Sequence, residues 1–340
     1  MEDLYFFLVE PINKTIWFYY QFYFFYHLLT MQYNTTTVFE IFLLGFPNFQ
    51  NIKNIFFPLM LLVYCVTICG NLLIILVVSY SISLHSPMYF FLTQLSFTDI
   101  LLSTIIVPNM LRVVLYEGSY VSFIGCFIQF HCFLATESLE CLLLTAMSYD
   151  RYQAICNPLQ YTSIINFTFC VKTIFFIWLI VLFITLMMFI TISNLLFCGP
   201  NIIDHFFCDF NPILELSCSE TFIVKMESKL IAVPLVICPF MVIVISYVFI
   251  IITILKIPSV TGRQKTFSTC SSHLAVVSLY YGSLISIYLL PDMKNAKKIL
   301  SLFYNVVTPL LNPMIYSLRN KDIKQALEKM VQQIHKKFHT

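Results

Sequence analysis

The chain has 340 residues, of which 59% are hydrophobic and 11% are charged, and its mean hydropathy is +0.85. This composition excludes a soluble globular domain and predicts a protein embedded in a lipid bilayer. The formal net charge of +2 gives no general attraction to polyanions, so we expect no nucleic-acid partner.

The first predicted element is an N-terminal extension at residues 1–30. Its aromatic run, 16–29, is too short to span a bilayer and lacks the basic start and small-residue cleavage site of a signal peptide. Met31 follows, and an N-x-S/T sequon begins three residues later at Asn34. We therefore expect Met31 to be the biological start, residues 31–54 to form an extracellular tail, and Asn34 to be glycosylated.

Seven apolar segments follow, and each is long enough to cross the hydrocarbon core as a helix. The pattern predicts an all-α membrane protein, a seven-transmembrane helix bundle within residues 55–318. The tail at 319–340 is predicted to be cytoplasmic and to form a short amphipathic helix after the seventh span. The segments are 55–79, 88–111, 123–152, 170–193, 229–255, 267–290 and 299–318.

Loop cysteines and charge predict the orientation in the membrane. Four cysteines flank predicted loops on one side, as expected for disulfides in an oxidising, extracellular environment. The Asn34 sequon lies on that same side, while a small majority of the 19 Lys and Arg residues lie on the other. We therefore expect a multi-pass plasma-membrane protein with its N-terminus outside. The loop cysteines are Cys126, Cys198, Cys208 and Cys218.

Polar side chains interrupt the apolar segments at a similar membrane depth. Asp99 and Glu140 each lie about ten residues from a predicted membrane surface, so they can share a pocket with Asn71 and Asn312. Two close carboxylates share a proton or bind a cation, and a purely structural polar cluster also joins helices. A sodium ion held by Asp99, Glu140 and Asn312 is one of these open alternatives, and no other cofactor is expected.

The third segment ends in a charged triplet, Asp150-Arg151-Tyr152. As one helix, Cys126 to Arg151 extends about 37 Å, somewhat more than the hydrocarbon core of about 30 Å. The two ends therefore lie at opposite membrane surfaces. An arginine beside an aspartate at a helix end can pair with it at rest and be released when a partner docks, which predicts a switch.

Four motifs occur in a fixed order along the chain. They are LHSPMYFFL at 84–92, MSYDRYQAICNP at 147–158, KTFSTCSSHL at 265–274 and PLLNPMIYSLRN at 309–320. The ordered set resembles that of vertebrate olfactory receptors, which are rhodopsin-like class A G-protein-coupled receptors. Segments around Cys198, Cys208 and Cys218 resemble the second extracellular loop of the same family.

The resemblance implies a function and roles for several residues. It implies a receptor, not an enzyme, that binds a small volatile odorant and activates a stimulatory, olfactory-type G protein that raises cAMP. It also implies the disulfides Cys126–Cys208 and Cys198–Cys218. It further implies that Asp150, Arg151 and Tyr152 hold the inactive state and that Arg151 engages the G protein. We also expect Asn312, Pro313 and Tyr316 of the seventh segment to take part in the switch by repacking in the same step.

The third and sixth segments carry side chains suited to a ligand pocket in the outer half of the bundle. Residues spaced i, i+3 and i+4 share one helix face. An apolar pocket with a few hydroxyls suits a small ligand held by shape and one or two hydrogen bonds, although core packing explains the same spacing. The candidates are Phe130, Phe133, Leu134 and Glu137 on the third segment, and Tyr281, Ile285 and Tyr288 on the sixth.

Other classes of membrane protein remain as alternatives. A non-olfactory chemosensory receptor would have the same fold. A channel or transporter would use the intramembrane acids for ions, but no repeat symmetry or filter motif is visible. An intramembrane hydrolase would need a nucleophile facing a base, whereas Ser272 and His273 are adjacent on one helix and point apart.

Overall fold

The computed structural model describes residues 39–46, 53–289 and 294–338. Seven long helices, α1 to α7, run through this part of the chain, and α8 follows them. The predicted all-α seven-helix architecture is confirmed. The first four helices are α1 (Lys53–Tyr80), α2 (Pro87–Tyr116), α3 (Phe123–Cys156) and α4 (Phe167–Ser193).

Two of the remaining helices contain a π-helical turn. Such turns insert one extra residue into a helix and are frequent at functional sites. α5 comprises Phe222–Ala232, the π turn Val233–Ile237 and Cys238–Leu255, and α6 is Val260–Leu289. α7 comprises Lys294–Leu302, the π turn Phe303–Val307 and Thr308–Arg319, and α8 is Lys321–Phe338. Short helical turns lie at Ile82–Leu84, Tyr161–Ile164 and Phe210–Glu215.

Hydropathy and length mark six of the described helices as candidate membrane spans. α1 to α5 and the stretch Ala296–Ser317 of α7 are long and apolar enough to cross a bilayer. α6 has a comparable length of 30 residues and is rich in Ser and Thr. Large apolar side chains such as Leu62 and Phe183 are 60% and 62% exposed, which suits contact with lipid.

Three predicted helix starts differ from the structure by five to seven residues. α5 starts at residue 222 instead of 229, α6 at 260 instead of 267, and α7 at 294 instead of 299. Hydropathy marks only the part of a helix in the hydrocarbon core, whereas the helices continue beyond it. The predicted start at Met31 and the Asn34 sequon lie outside the described residues.

A small sheet, absent from the prediction, joins the N-terminal segment to two loops. β1 (Glu40–Leu43) lies between β2 (Ser119–Ser122) and β3 (Ile202–Ile203), antiparallel to β2 and parallel to β3. Gly118 precedes β2 with a φ of +125°, and a Cβ there would collide with the Phe42 ring. This position therefore requires glycine.

Two disulfides hold the long loop between α4 and α5. Cys126 at the start of α3 is bonded to Cys208, with a Cα–Cα distance of 5.4 Å, and Cys198 is bonded to Cys218, with 5.8 Å. Both pairings are those implied by the resemblance. The first bond fixes the centre of the loop to the outer end of α3, which positions the cavity described next.

Candidate functional site

A cavity of about 280 Å³ lies among α3, α5, α6, α7 and the loop before α5. The Cys126–Cys208 bond places Phe207, Asp209 and Phe210 at its loop side. The Cys208 N–H also donates to Gln129 Oε1 of α3 at 3.0 Å, which holds the loop in register. Both π turns contribute lining residues, Leu235 and Val236 in α5 and Tyr304 and Asn305 in α7.

The predicted ligand-binding residues of the third helix all line this cavity, whereas Tyr281 and Ile285 of the sixth do not. Tyr281 and Ile285 line a neighbouring cavity of about 710 Å³ between α5 and α6. The α6 tyrosine that faces the first cavity is Tyr280, because adjacent helical residues are turned by about 100°. The Tyr288 side chain lies outside the described residues. The four residues of α3 are Phe130, Phe133, Leu134 and Glu137.

Several lining residues carry no distinctive signal in the sequence. Asp209 was not predicted, although it follows the disulfide-bonded Cys208 that holds it beside the cavity. Burial raises the pKa of this loop carboxyl, and the N–H of Phe210, which donates to it at 2.7 Å, lowers the pKa in part. The other polar lining residues not predicted from the sequence are Ser138, Cys141, Asn211, Ser228, Tyr280, Ser301, Tyr304 and Asn305.

Tyr280 connects α6 to α3 at the floor of the cavity. Its hydroxyl donates to Glu137 Oε2 at 3.3 Å and lies 2.9 Å from Cys141 Sγ. The Tyr281 hydroxyl also reaches Cys141 Sγ, at 3.9 Å. Any change that moves α6 at this depth therefore alters contacts made to α3.

The charged triplet near the Cys156 end of α3 contains an ion pair between neighbouring residues. Arg151 donates from Nε and Nη2 to Asp150 Oδ2 at 2.9 Å and 2.5 Å. The hydroxyl of Tyr161, in the following loop, donates to the other oxygen, Asp150 Oδ1, at 2.8 Å. Burial and the nearby Asp150 raise the pKa of Tyr161, so this hydroxyl keeps its proton. Tyr152 instead packs its ring against Phe249 of α5.

For a cAMP-raising receptor of the kind that the motifs resemble, Tyr161→Phe should raise cAMP production in the absence of odorant. The substitution removes one hydrogen bond to a buried carboxylate and so weakens the hold on Asp150 and on its arginine partner. A hydrogen bond to a charged group contributes about 1.5–3 kcal/mol, but only the part that differs between the resting and active arrangements shifts the equilibrium, so we expect roughly a 2- to 10-fold rise in basal cAMP per surface receptor. The control is Tyr116→Phe, which alters a hydroxyl at the opposite end of the bundle on a 69% exposed residue. Unchanged basal cAMP in Tyr161→Phe would contradict the role of this contact.

Midway along the bundle, Asp99 and Asn312 meet as predicted. Asn312 Nδ2 donates to both carboxylate oxygens of Asp99 at 3.1 Å, and Glu140 of α3 is near enough to interact electrostatically with this pair. Asn71 lies close by and donates to the backbone oxygens of Thr67 and Pro309. The predicted polar cluster therefore joins α1, α2, α3 and α7.

The chemistry of this cluster fits a small cation. Among the described residues, the buried atoms Ser103 Oγ, Glu140 Oε1 and Asn312 Oδ1 have no hydrogen-bond partner. Oxygen atoms of this kind are ligands for hard cations. No group of three or more His, Cys, Asp or Glu residues suited to a metal occurs in the described parts of the chain, so a site here would rest on two carboxylates with neutral oxygens.

The inner part of α7 packs closely against α1. A Cβ on Gly70 would lie 3.2 Å from Pro313 Cγ, so glycine permits this approach. Tyr316 is completely buried, and its hydroxyl has no hydrogen-bond partner among the described residues. A buried hydroxyl without a partner costs about 1–3 kcal/mol, and a rearrangement of α7 that gave it a partner would recover this cost.

The fold, the disulfide-anchored loop and the Asp-Arg-Tyr ion pair define a seven-helix receptor of the rhodopsin type. Squid rhodopsin superposes with a TM-score of 0.66 at 15% identity, over 84% of this chain and 87% of its own. The family model described as olfactory receptor matches residues 60–334. The chain belongs to the olfactory receptor family.

Individual relatives are similar over nearly their full length. Olfactory receptor 11L1 of Homo sapiens is 45% identical over 301 residues, which cover 88% of this chain and 94% of that protein. Olfactory receptor 10A3 of Homo sapiens is 43% identical over 300 residues, or 87% and 96% of the two chains. This chain is therefore an odorant-sensing G-protein-coupled receptor and not an enzyme.

Proposed function

We propose that this receptor binds a small, mostly apolar odorant in the 280 Å³ cavity and activates a stimulatory, olfactory-type G protein that raises cAMP. The observation that carries the proposal is the cavity itself, which lies next to the α3–α6 contact and is lined mainly by aromatic and aliphatic side chains. Its volume, slightly below the common range of about 300–1,000 Å³, favours a ligand of about ten heavy atoms. Affinity for such a ligand is limited, and micromolar binding, about −8 kcal/mol, is expected.

Signalling requires the odorant to prefer the active arrangement of the helices, since equal affinity for both states shifts nothing. Tyr280 is placed to report ligand contact to α6, because it lines the cavity and bonds to α3. Tyr281, Ile285 and Tyr288, the predicted ligand-binding residues of the sixth segment, lie on the same helix.

The movement of α6 is proposed to release the switch at the inner end of α3. Tyr247 of α5 bonds to His273 Nδ1 of α6 at 2.7 Å, so the two helices are coupled in that half of the bundle. An outward shift of α6 there frees Arg151 for the G protein. Asn312, Pro313 and Tyr316 then repack, which gives the Tyr316 hydroxyl access to a partner.

We also propose that the receptor lies in the plasma membrane with its N-terminus outside and its C-terminus in the cytosol. Both disulfides, which need an oxidising environment, lie at the end of the bundle that carries β1. Met31 and Asn34 precede β1 in the sequence, so an extracellular β1 would make Asn34 available for glycosylation. Removal of N-glycans from intact cells should lower the apparent mass of the receptor, and Asn34→Gln should abolish that change. The first residue of the mature protein tests the start at Met31.

A sodium ion held by Asp99, Glu140 and Asn312 is proposed to stabilise the resting state. When bound, it would offset one of the two negative charges of Asp99 and Glu140, leaving the other to be balanced by a proton, and it would link α2, α3 and α7. Replacing extracellular sodium by N-methylglucamine should therefore increase odorant potency, and Asp99→Asn should remove this dependence. Equal sodium dependence in wild type and Asp99→Asn would exclude the site.

The proposed function is tested by screening odorants against cells that express the full chain. Surface labelling confirms expression, and cAMP is measured against cells without the receptor. We expect at least one small, largely apolar volatile to raise cAMP at micromolar concentration. Odorant-evoked membrane current without any cAMP rise would instead favour a channel.

A further inference from the structure

The cavity holds an acid in an unusual setting. Glu137 projects from α3, and its Oε2 accepts the Tyr280 hydroxyl, but its buried Oε1 has no hydrogen-bond partner among the described residues. A buried carboxylate oxygen without a partner costs more free energy than a neutral group in the same position. A purely apolar odorant would leave this oxygen unsatisfied.

A second residue that lines the cavity also has polar atoms without hydrogen-bond partners among the described residues. Asn305 in the π turn of α7 is 1% exposed, and neither its Nδ2 nor its Oδ1 has a partner within the described chain. It lines the same cavity as Glu137. The cavity therefore offers a ligand two independent hydrogen-bond acceptors, one of them an acid, on facing helices.

The electrostatic surroundings favour a positive charge. The charged groups that act on Glu137 are Glu140, Asp209 and Asp99, all of them acids. No Lys, Arg or His is found among the residues that line this cavity in the described chain. The nearest basic side chains of α5, Lys225 and Lys229, line the neighbouring cavity instead. The described lining therefore offers Glu137 no basic partner, and a cationic ligand would stabilise its ionised form.

Aromatic rings complete the lining. Ring faces attract ammonium groups through their quadrupole, and apolar walls suit an organic body. A metal ion would need six or more oxygen ligands if it were calcium, which a cavity walled by rings does not supply. The rings belong to Phe130, Phe133, Phe207, Phe210, Tyr280 and Tyr304.

We infer that the preferred ligand is a protonated amine with a small apolar body, whose ammonium group binds Glu137 and Asn305. The inference rests on the proposed function and names the ligand class for the same cavity. Alkylamines, like lysine with a pKa of about 10.4, carry a full charge at neutral pH. The ammonium group donates to Glu137 Oε1 and Asn305 Oδ1, and the apolar body packs against the rings.

The test compares matched pairs of ligands on cells that express the full chain. Hexylamine is paired with 1-hexanol, and benzylamine with benzyl alcohol, so that size and shape are kept while the charge changes. We expect each amine to raise cAMP at a concentration roughly 10-fold or more below that of its alcohol. Cells without the receptor show whether the amines act on another protein. An alcohol that matches or exceeds its amine in potency would overturn the inference.

Glu137→Gln isolates the charge, because glutamine keeps the size of the side chain. We expect the concentration of amine for half-maximal cAMP to rise roughly 10- to 100-fold, with the alcohols changed less than about 3-fold. Asn305→Ala should produce a smaller loss for the amines. Glu220→Gln, an exposed acid in the loop before α5, is the matched control and should respond as wild type.

The outcomes separate the two proposals. If neutral odorants raise cAMP and amines do not, or if Glu137→Gln leaves amine potency unchanged, the ligand class is wrong and the proposed function stands. If no odorant of any charge raises cAMP in cells with receptor at the surface, the proposed function itself fails. Should Glu137→Gln not reach the surface, the comparison of amines with alcohols on the wild type decides.

Discussion

Arg151→Ala should abolish the odorant-evoked rise in cAMP while the amount of receptor at the cell surface stays near that of wild type. At rest, the guanidinium pairs with Asp150 through two hydrogen bonds, and its side chain is 11% exposed. In the proposed active state the same group binds the G protein. Loss of a buried, hydrogen-bonded charge at an interface costs about 2–5 kcal/mol, which weakens coupling by about 30-fold or more.

The Arg151 experiment has a control at the other membrane surface. Arg112 near the outer end of α2 is exposed, so Arg112→Ala removes the same charge without touching the switch. Arg151→Lys keeps the charge but loses the two-point geometry of the guanidinium, and an intermediate response is expected. Wild-type cAMP responses in Arg151→Ala at equal surface density would disprove the switch.

Cys126→Ser or Cys208→Ser should sharply reduce the amount of receptor at the surface and remove the odorant response of what remains. The bond closes a separation of 82 residues, so its loss is expected to cost about 4–5 kcal/mol. This is a large share of the roughly 5–15 kcal/mol by which domains are usually stable. The bond also holds Phe207 and Asp209 beside the cavity, so residual receptor should bind odorant poorly.

The second disulfide provides the graded comparison for the first. Cys198–Cys218 closes a separation of only 20 residues, and its loss should cost about 3 kcal/mol. Neither of its cysteines lines the 280 Å³ cavity. Cys65→Ser alters a free, exposed cysteine on α1 and should have no effect. We therefore expect surface staining, and thermal stability after detergent extraction, to be highest for Cys65→Ser, lower for Cys198→Ser and lowest for Cys126→Ser. The reverse order would refute the larger structural role given to the Cys126–Cys208 bond.

Hydropathy predicted the seven helices because each membrane-spanning helix must be long and apolar, regardless of which other helices it packs against. The depth of Asp99, Glu140 and Asn312 followed from counting along those helices, and the structure brings Asp99 and Asn312 into contact. The ordered motifs supplied the disulfide pairings. These features could be predicted because they depend only on the position of a residue along one helix or on motifs that are typical of the family.

Helix rotation was harder to predict from the sequence. Soluble helices reveal their buried face by contrast with a polar face, but here both lipid and the bundle interior accept apolar residues. Tyr280 and Tyr281 therefore could not be distinguished, although only Tyr280 lines the 280 Å³ cavity. The π turns that bring Leu235 and Asn305 to the cavity arise from local packing and leave no periodic trace.

The sheet was missed for a different reason. β1 has four residues and β3 has two, so neither is long enough for alternation to be visible. Their pairing joins parts of the chain that are far apart in sequence, as in the register of Phe42 with Ile202. Such contacts become apparent only once the loop has been fixed to α3.

The buried ammonium of Lys298 on α7 determines where this chain can be shortened. It donates to the Gly45 carbonyl at 3.1 Å and to Asp204 Oδ1 at 2.5 Å. These two bonds connect α7 to the segment after β1 and to the long loop. A truncation that removed Gly45 would leave the buried ammonium of Lys298 with Asp204 as the remaining one of these two partners. Epitope tags and trimmed N-termini for heterologous production should therefore leave everything from Phe39 onward intact.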